Sequence, residues 1–305
     1  KGYTVSKFFA LIIGYLKRLL LLFTIRKYDC VYIFMWIVPY TSNYIEKIFR
    51  KYSKKIIYDM EDNILIVSKN EINPLSSSFK SVDKYNYLIN SSDQIIVSSQ
   101  YLENFCNDIT NKKNTNYICA SINIDRYKPL TKQHKKTINI GWTGTFSTKK
   151  YLKIIESVIT KLSKIRDINF IVISDFDYSL KNVKVINLKW NKLTEIQDLQ
   201  KIDIGVYPLY KDEWVLGKSG LKALQYMALA IPTVSTNFGN IKNIIDNKHN
   251  GFLVNNLDEW FTVLIKLCDD IDLRNFIGIN GRKVVENQYS LEAISIKYLD
   301  VIKKI

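Results

Sequence analysis

Residues 203–254 read DIGVYPLYKDEWVLGKSGLKALQYMALAIPTVSTNFGNIKNIIDNKHNGFLV, and the pattern of this stretch decides the fold. The short apolar run Ile204 to Leu209, carrying Pro208 near its end, suits a buried parallel strand that stops abruptly. A polar loop, Tyr210 to Lys218, follows. Leu221, Leu224, Met227 and Ala228 then recur at helical spacing, with Ser219 as the expected N-cap. Pro232 stops the helix and Thr233-Val234-Ser235 starts another strand. In such a strand, loop, helix, strand unit the helix N-terminus faces the carboxyl edge of the sheet, where backbone N–H groups and the helix dipole attract an anion. Lys218, just before the helix, suits a phosphate, and Gln225 suits a hydroxylated ligand. The plain alternative is a capped helix in an ordinary α/β core with a solvated lysine.

Upstream, the same alternation of strands and helices recurs. An apolar helix is expected over Ser6 to Arg26, then strands at Cys30 to Trp36 and Lys55 to Tyr58 with a helix between them near Tyr44 to Tyr52. A helix near Val82 to Asn90, a strand Gln94 to Val97, a helix Gln100 to Asn107 and a strand Asn116 to Cys119 follow. By the connection rules this is a parallel sheet covered by helices. Asp59, Glu61 and Asp62 fall at the carboxyl end of the second strand, the usual ligand edge, where a carboxylate can orient a hydroxyl or take its proton. Equally, they read as strand-end charges solvating a loop. The polar, basic run Thr131 to Lys136 is a natural linker. A second α/β pattern begins beyond it, with strands Ile138 to Trp142, Asn169 to Ile173 and Lys184 to Leu188, and a helix over Lys150 to Ile165. The loop that includes Thr143, Gly144, Thr145 and Ser147 joins its first strand to its first helix. Small and hydroxyl residues there can approach a pyrophosphate closely. Two anion-friendly loops at one sheet edge make a diphosphate cradle.

Composition narrows the class. A chain of 305 residues, 47% apolar, is long enough for two cores. Lys17, Arg18 and Gly14 interrupt the longest apolar stretch, Phe8 to Phe23, below the length that spans a bilayer. The four cysteines form no C-x-x-C and there are two histidines, so no zinc site, disulfide framework or His-dependent triad is proposed, and no metal is expected. The formal charge of +15 calls for a partner or reflects compositional drift, since the lysines are spread along the chain beside abundant Asn and Ile. Lys1, Lys7, Lys17, Arg18, Arg26 and Lys27 flank or interrupt apolar residues, as in a helix lying on an anionic membrane surface, although a packed helix with a solvated basic edge gives the same pattern. Nucleic acid is not an expected partner, since no RNA motif, zinc finger or helix-turn-helix signature accompanies the charge.

The 203–254 stretch resembles the donor-binding segment of family-4-type (group 1) glycosyltransferases of the GT-B fold. The likeness rests on Pro208-Leu209, Glu213-Trp214, Gly217-Lys218-Ser219-Gly220-Leu221-Lys222, Gln225-Tyr226-Met227-Ala228 and Ile231-Pro232-Thr233-Val234. It extends to Ser91-Ser92-Asp93 with its following strand, to the connector Asp125-Arg126-Tyr127-Lys128-Pro129, and to the closing stretch from Asn280-Gly281-Arg282 through Tyr289-Ser290. The wider family usually has glutamates where this chain has Gly217 and Gln225, one on the donor sugar and one on the ribose. The resemblance implies two Rossmann-like domains with parallel sheets facing a central cleft, 1–130 completed by a returning helix 288–305, and 131–287 holding the nucleotide sugar. It also implies a first strand, glycine-rich turn and helix that this sequence does not show, hence a shortened first domain.

Its implied activity is metal-independent, retaining transfer of a sugar from a UDP- or GDP-linked donor to a glycan or lipid-linked acceptor, with no cofactor. The setting implied is surface polysaccharide assembly at the cytoplasmic face of a membrane. Carried onto this chain, Lys218 stabilises the departing diphosphate, with Asp59, Glu61 and Asp62 on the acceptor side. The donor is held by Thr143, Gly144, Thr145, Ser147, Pro208, Glu213, Ser219, Gly220 and Leu221, with Gln225 on the ribose. A nucleotide-sugar-binding protein with little or no turnover is the second expectation and a basic nucleic-acid binder the third.

Overall fold

The computed structural model describes residues 2–39, 42–61, 82–131 and 135–305. The chain divides into two compact units, 1–118 with 297–305, and 119–296. The boundary falls before the connector rather than at residue 130, for a physical reason. Arg282 donates to the carbonyls of Tyr127 and Ile124, and the Ile122 N–H donates to the Tyr289 carbonyl at 2.8 Å, so the connector is tied into the second unit.

The first unit holds a four-stranded parallel sheet in the order β1 (Cys30–Phe34), β2 (Lys55–Met60), β3 (Gln94–Val97), β4 (Thr115–Tyr117). Its β-branched and aromatic strand residues pack with Leu88, Ile89, Leu102 and Cys106 from the covering helices into one core. Strand β2 runs further than its apolar pattern foretold, so Asp59 is inside the strand, and Glu61 just follows it. Asp62 lies outside the described residues. The first helix, Gly2–Leu21, leaves Phe9, Ile13, Leu16 and Leu20 exposed, while its Tyr15, and Leu22 just after it, pack against the core. Burial of most of that helix, one of the two expectations for it, is not what this unit shows.

The second unit's sheet is six-stranded and parallel throughout, built from β5 (Ile138–Thr143), β6 (Ile168–Ser174), β7 (Val185–Lys189), β8 (Ile204–Tyr207), β9 (Thr233–Thr236) and β10 (Phe252–Val254). Their spatial order is β10-β9-β8-β5-β6-β7. The chain winds outward from β5 to β7, then returns to the other side of β5 and winds the opposite way. That reversal creates a crevice at the carboxyl ends of β5 and β8, the place where open parallel sheets bind ligands.

Two local features put the 221–228 helix over that crevice. Gly205 in β8 has no Cβ, and one there would stand 2.6 Å from the Tyr226 ring, so the ring lies flat against the strand. The buried Tyr226 hydroxyl then accepts the Thr143 N–H at 2.9 Å, tying the helix to the end of β5. Between β5 and β6 the expected single helix is instead a 3-10 segment, Phe146–Ile154, followed by a short α-helix, Glu156–Ser163.

Candidate functional site

The loop after β8 closes on itself before it becomes a helix. Asp212 caps Glu213–Leu216 by accepting the Val215 N–H at 2.9 Å. The N-cap of the next helix, Leu221–Ala228, is Gly220, not Ser219. Gly220 has φ +85°, a left-handed conformation that favours glycine, and Ile244 leaves no room for a Cβ, which would stand 2.7 Å from its Cδ1. Ser219 is buried, with its carbonyl accepting from Asn240 at 3.1 Å. The Ala223 N–H is bonded to the Gly220 carbonyl at 3.0 Å, so the first-turn donors this sharp turn presents at the switch point are the N–H groups of Leu221 and Lys222.

Lys218 and Lys222 flank the turn. The Lys218 Nζ lies 5.4 Å from the centre of the Trp214 ring, and the Lys222 Nζ lies 4.8 Å from that of Trp142 in β5. Lys222 also reaches the loop after β5, where its amine donates to Thr148 Oγ1 at 3.3 Å. Gly144 makes this contact possible, since a Cβ there would meet the Trp142 ring at 2.3 Å and the Lys222 amine at 2.6 Å. The two loops therefore meet. Desolvation, and then the like charge of Lys218, hold the Lys222 pKa down at about 7. Beside it the Trp142 indole N–H is buried and finds no acceptor among the described residues.

The loop after β5 contributes differently from expectation. Its N–H groups already have partners: Thr143 to Tyr226, Gly144 to the Ile173 carbonyl at 3.0 Å, Thr145 to Thr148 Oγ1 at 3.2 Å and Phe146 to Asp175 Oδ1 at 2.8 Å. Its available groups are hydroxyls, Thr145 Oγ1 and Ser147 Oγ, which share one hydrogen bond of 3.0 Å on the exposed side. Among the other expected donor residues, Pro208 is buried at the end of β8, while Glu213 and Leu221 are exposed. Gln225 lies three residues beyond Lys222 on the same helical face. Its amide nitrogen donates to Tyr127 Oη at 2.9 Å and to Glu195 Oε1 at 3.3 Å.

In the first unit Asp59 is buried, and burial raises its pKa above the ordinary carboxylate range. It accepts hydrogen bonds from the hydroxyls of Tyr32 and Tyr298, the latter at 3.2 Å, so this carboxylate fastens the end of the last helix to the sheet. Among the described residues no cluster of three or more His, Cys, Asp or Glu stands where it could hold a metal ion.

Residues 137–270 match the family model of glycosyl transferases group 1. The chain is thus similar to the group 1 glycosyltransferases over much of its second unit. A capsular polysaccharide biosynthesis glycosyltransferase, CapM of Staphylococcus aureus, is 26% identical over 185 residues, covering 54% of this chain and 47% of CapM. The match thus spans about half the length of that relative. Among solved structures, HepE of Anabaena in complex with UDP aligns over 94% of this chain and 82% of its own at TM-score 0.69 and 14% identity. Sucrose-phosphate synthase of Thermosynechococcus elongatus aligns over 91% and 74% at TM-score 0.67 and 14% identity. At these identities the likeness shows the fold, which is GT-B.

Lys222 is the residue of this site that the sequence did not single out. It stood in the quoted Gly-Lys-x-Gly-x-Lys pattern, and its position four residues after Lys218 was the available signal.

Proposed function

We propose that this chain transfers a sugar from a nucleoside diphosphate to a glycan or lipid-linked acceptor in polysaccharide biosynthesis, with the donor's diphosphate at the β5/β8 switch point. One observation carries the reading. Lys218 and Lys222 flank the turn where the strand order of a parallel sheet reverses, and burial, then the charge of Lys218, lowers the Lys222 pKa to about 7. An anion between them removes both the repulsion and the desolvation cost. HepE, a structural neighbour, is described in complex with UDP, and CapM is a capsular polysaccharide glycosyltransferase, which supports the substrate class.

Chemically, the leaving diphosphate gains charge as the glycosidic bond breaks. Lys218, Lys222, the first turn of the 221–228 helix and the Thr145 and Ser147 hydroxyls are donors already aimed at that charge, and each such group is worth on the order of 10²-fold in rate. Retention of configuration and independence from metal belong to the proposal. Measured turnover of UDP- and GDP-sugars, by hydrolysis or by transfer to lipid-linked acceptors, tests it. Lys218→Ala and Lys222→Ala should each lower kcat by about 10²-fold; unchanged turnover in both defeats the reading. Gly217 and Gln225, where the wider family has glutamates, favour a second reading, a donor-binding protein that turns over slowly or not at all. Saturable nucleotide binding without transfer would select it. The exposed apolar side of the Gly2–Leu21 helix, with Lys17 and Arg18 beside it, supports docking on the anionic face of a membrane.

A further inference from the structure

A carboxylate held without a counter-ion stands next to the proposed diphosphate site. Glu195 opens the short helix Glu195–Leu199, just past the carboxyl end of β7 and therefore on the same sheet edge as the Lys218 and Gly144 loops. Three neutral donors fix it: Trp190 Nε1 at 3.1 Å and Gln225 Nε2 at 3.3 Å on Oε1, and Tyr127 Oη at 3.4 Å on Oε2. Among the described residues no lysine or arginine pairs with it. A carboxylate has about four acceptor positions, and two of its three bonds are long, so it retains capacity for further donors. Burial raises the Tyr127 pKa, which keeps that hydroxyl a donor.

The placement is specific. Gln225 and Lys222 are three residues apart on one helix, so their Cβ atoms are about 5–6 Å apart on a shared face. That is the order of the separation between a nucleotide's diphosphate and its ribose hydroxyls. A ribose diol presents two O–H donors and needs an acceptor, which the neutral amide of Gln225 serves less well than a carboxylate does. In sheets of this winding a carboxylate beside the phosphate site is the usual acceptor for ribose hydroxyls.

Resting on the diphosphate reading above, we infer that Glu195 is the ribose-binding residue of this chain. Gln225, Tyr127 and Trp190 are positioning residues that aim its carboxylate, so Gln225 acts through Glu195. The chain then discriminates ribose from 2′-deoxyribose through a side chain contributed by the loop after β7.

Calorimetric titration of the full chain with UDP, GDP, their 2′-deoxy forms and inorganic pyrophosphate tests this, comparing the unaltered protein with Glu195→Gln and Lys222→Ala. The unaltered chain should bind its preferred ribonucleotide at least about tenfold more tightly than the 2′-deoxy form, because a hydrogen bond to a charged group is worth roughly 1.5–3 kcal/mol. Glu195→Gln should abolish that preference while leaving pyrophosphate and the deoxynucleotide unchanged; Lys222→Ala should weaken all three. Equal weakening of all ligands by Glu195→Gln, or a preserved ribose preference, overturns the inference while the diphosphate reading stands. Failure of pyrophosphate and nucleotides alike to bind the unaltered chain overturns both.

Discussion

At the residue scale the account turns on Lys222 and its proton. Its amine stays half charged near pH 7 in the free protein and is fully charged against a bound diphosphate, so binding above pH 7 takes up a proton. Affinity for UDP should therefore fall as pH rises beyond about 7, by up to about tenfold per unit, a slope that calorimetry across pH 6.5–9 would show and Lys222→Met would remove. The sign for stability is the reverse. The folded state keeps this lysine neutral above about 7, whereas the unfolded chain holds it protonated up to the ordinary value near 10.4, so folding stability rises through that window. Lys218 was legible in the sequence because it immediately precedes a helix after a strand. Lys222 was not singled out, since its burial comes from tertiary packing, including the Trp142 ring 80 residues away in the chain. Glu195 gave no local signal at all; only the return of the chain from β7 to β8 brings it to Gln225 and Tyr127.

Among elements, the 221–228 helix is the one whose placement makes the site, and its seat on β8 is specified by a missing side chain. Gly205→Ala would push a Cβ to 2.6 Å from the Tyr226 ring, so it should cost about 1–3 kcal/mol in denaturant unfolding and weaken nucleotide binding by displacing the Tyr226 hydroxyl from Thr143. Arg282 does comparable work for the connector, donating to the carbonyls of Tyr127, Ile124 and Ala228. The alternation of strands and helices was readable from apolar runs, glycines and prolines. The spatial order of the strands and the Gly220 cap were not: the order depends on long-range pairing, and the cap on Ile244 filling the space a Cβ would need. The extra length of β2, which carries Asp59 into the sheet, follows from pairing with β1 and β3 on both sides, a support invisible to local pattern.

For the whole molecule, the parallel, helix-covered character of both sheets was foreshadowed, and the charge of the chain carries an expectation. Among the described residues no helix is long and apolar enough to cross a membrane. The exposed Phe9, Ile13, Leu16 and Leu20 with Lys17 and Arg18 should bind phosphatidylglycerol-containing vesicles and not neutral ones, and Leu16→Glu with Leu20→Glu should release the protein in a flotation assay; equal binding to both vesicle types would count against docking by this helix. The most direct test of the donor site is a crystal structure of this chain with UDP bound. The account predicts phosphate oxygens about 3 Å from the Lys222 amine, beside Lys218 and the Thr145 and Ser147 hydroxyls at the β5/β8 crevice. Phosphates bound elsewhere, with both lysines directed to solvent, would contradict it.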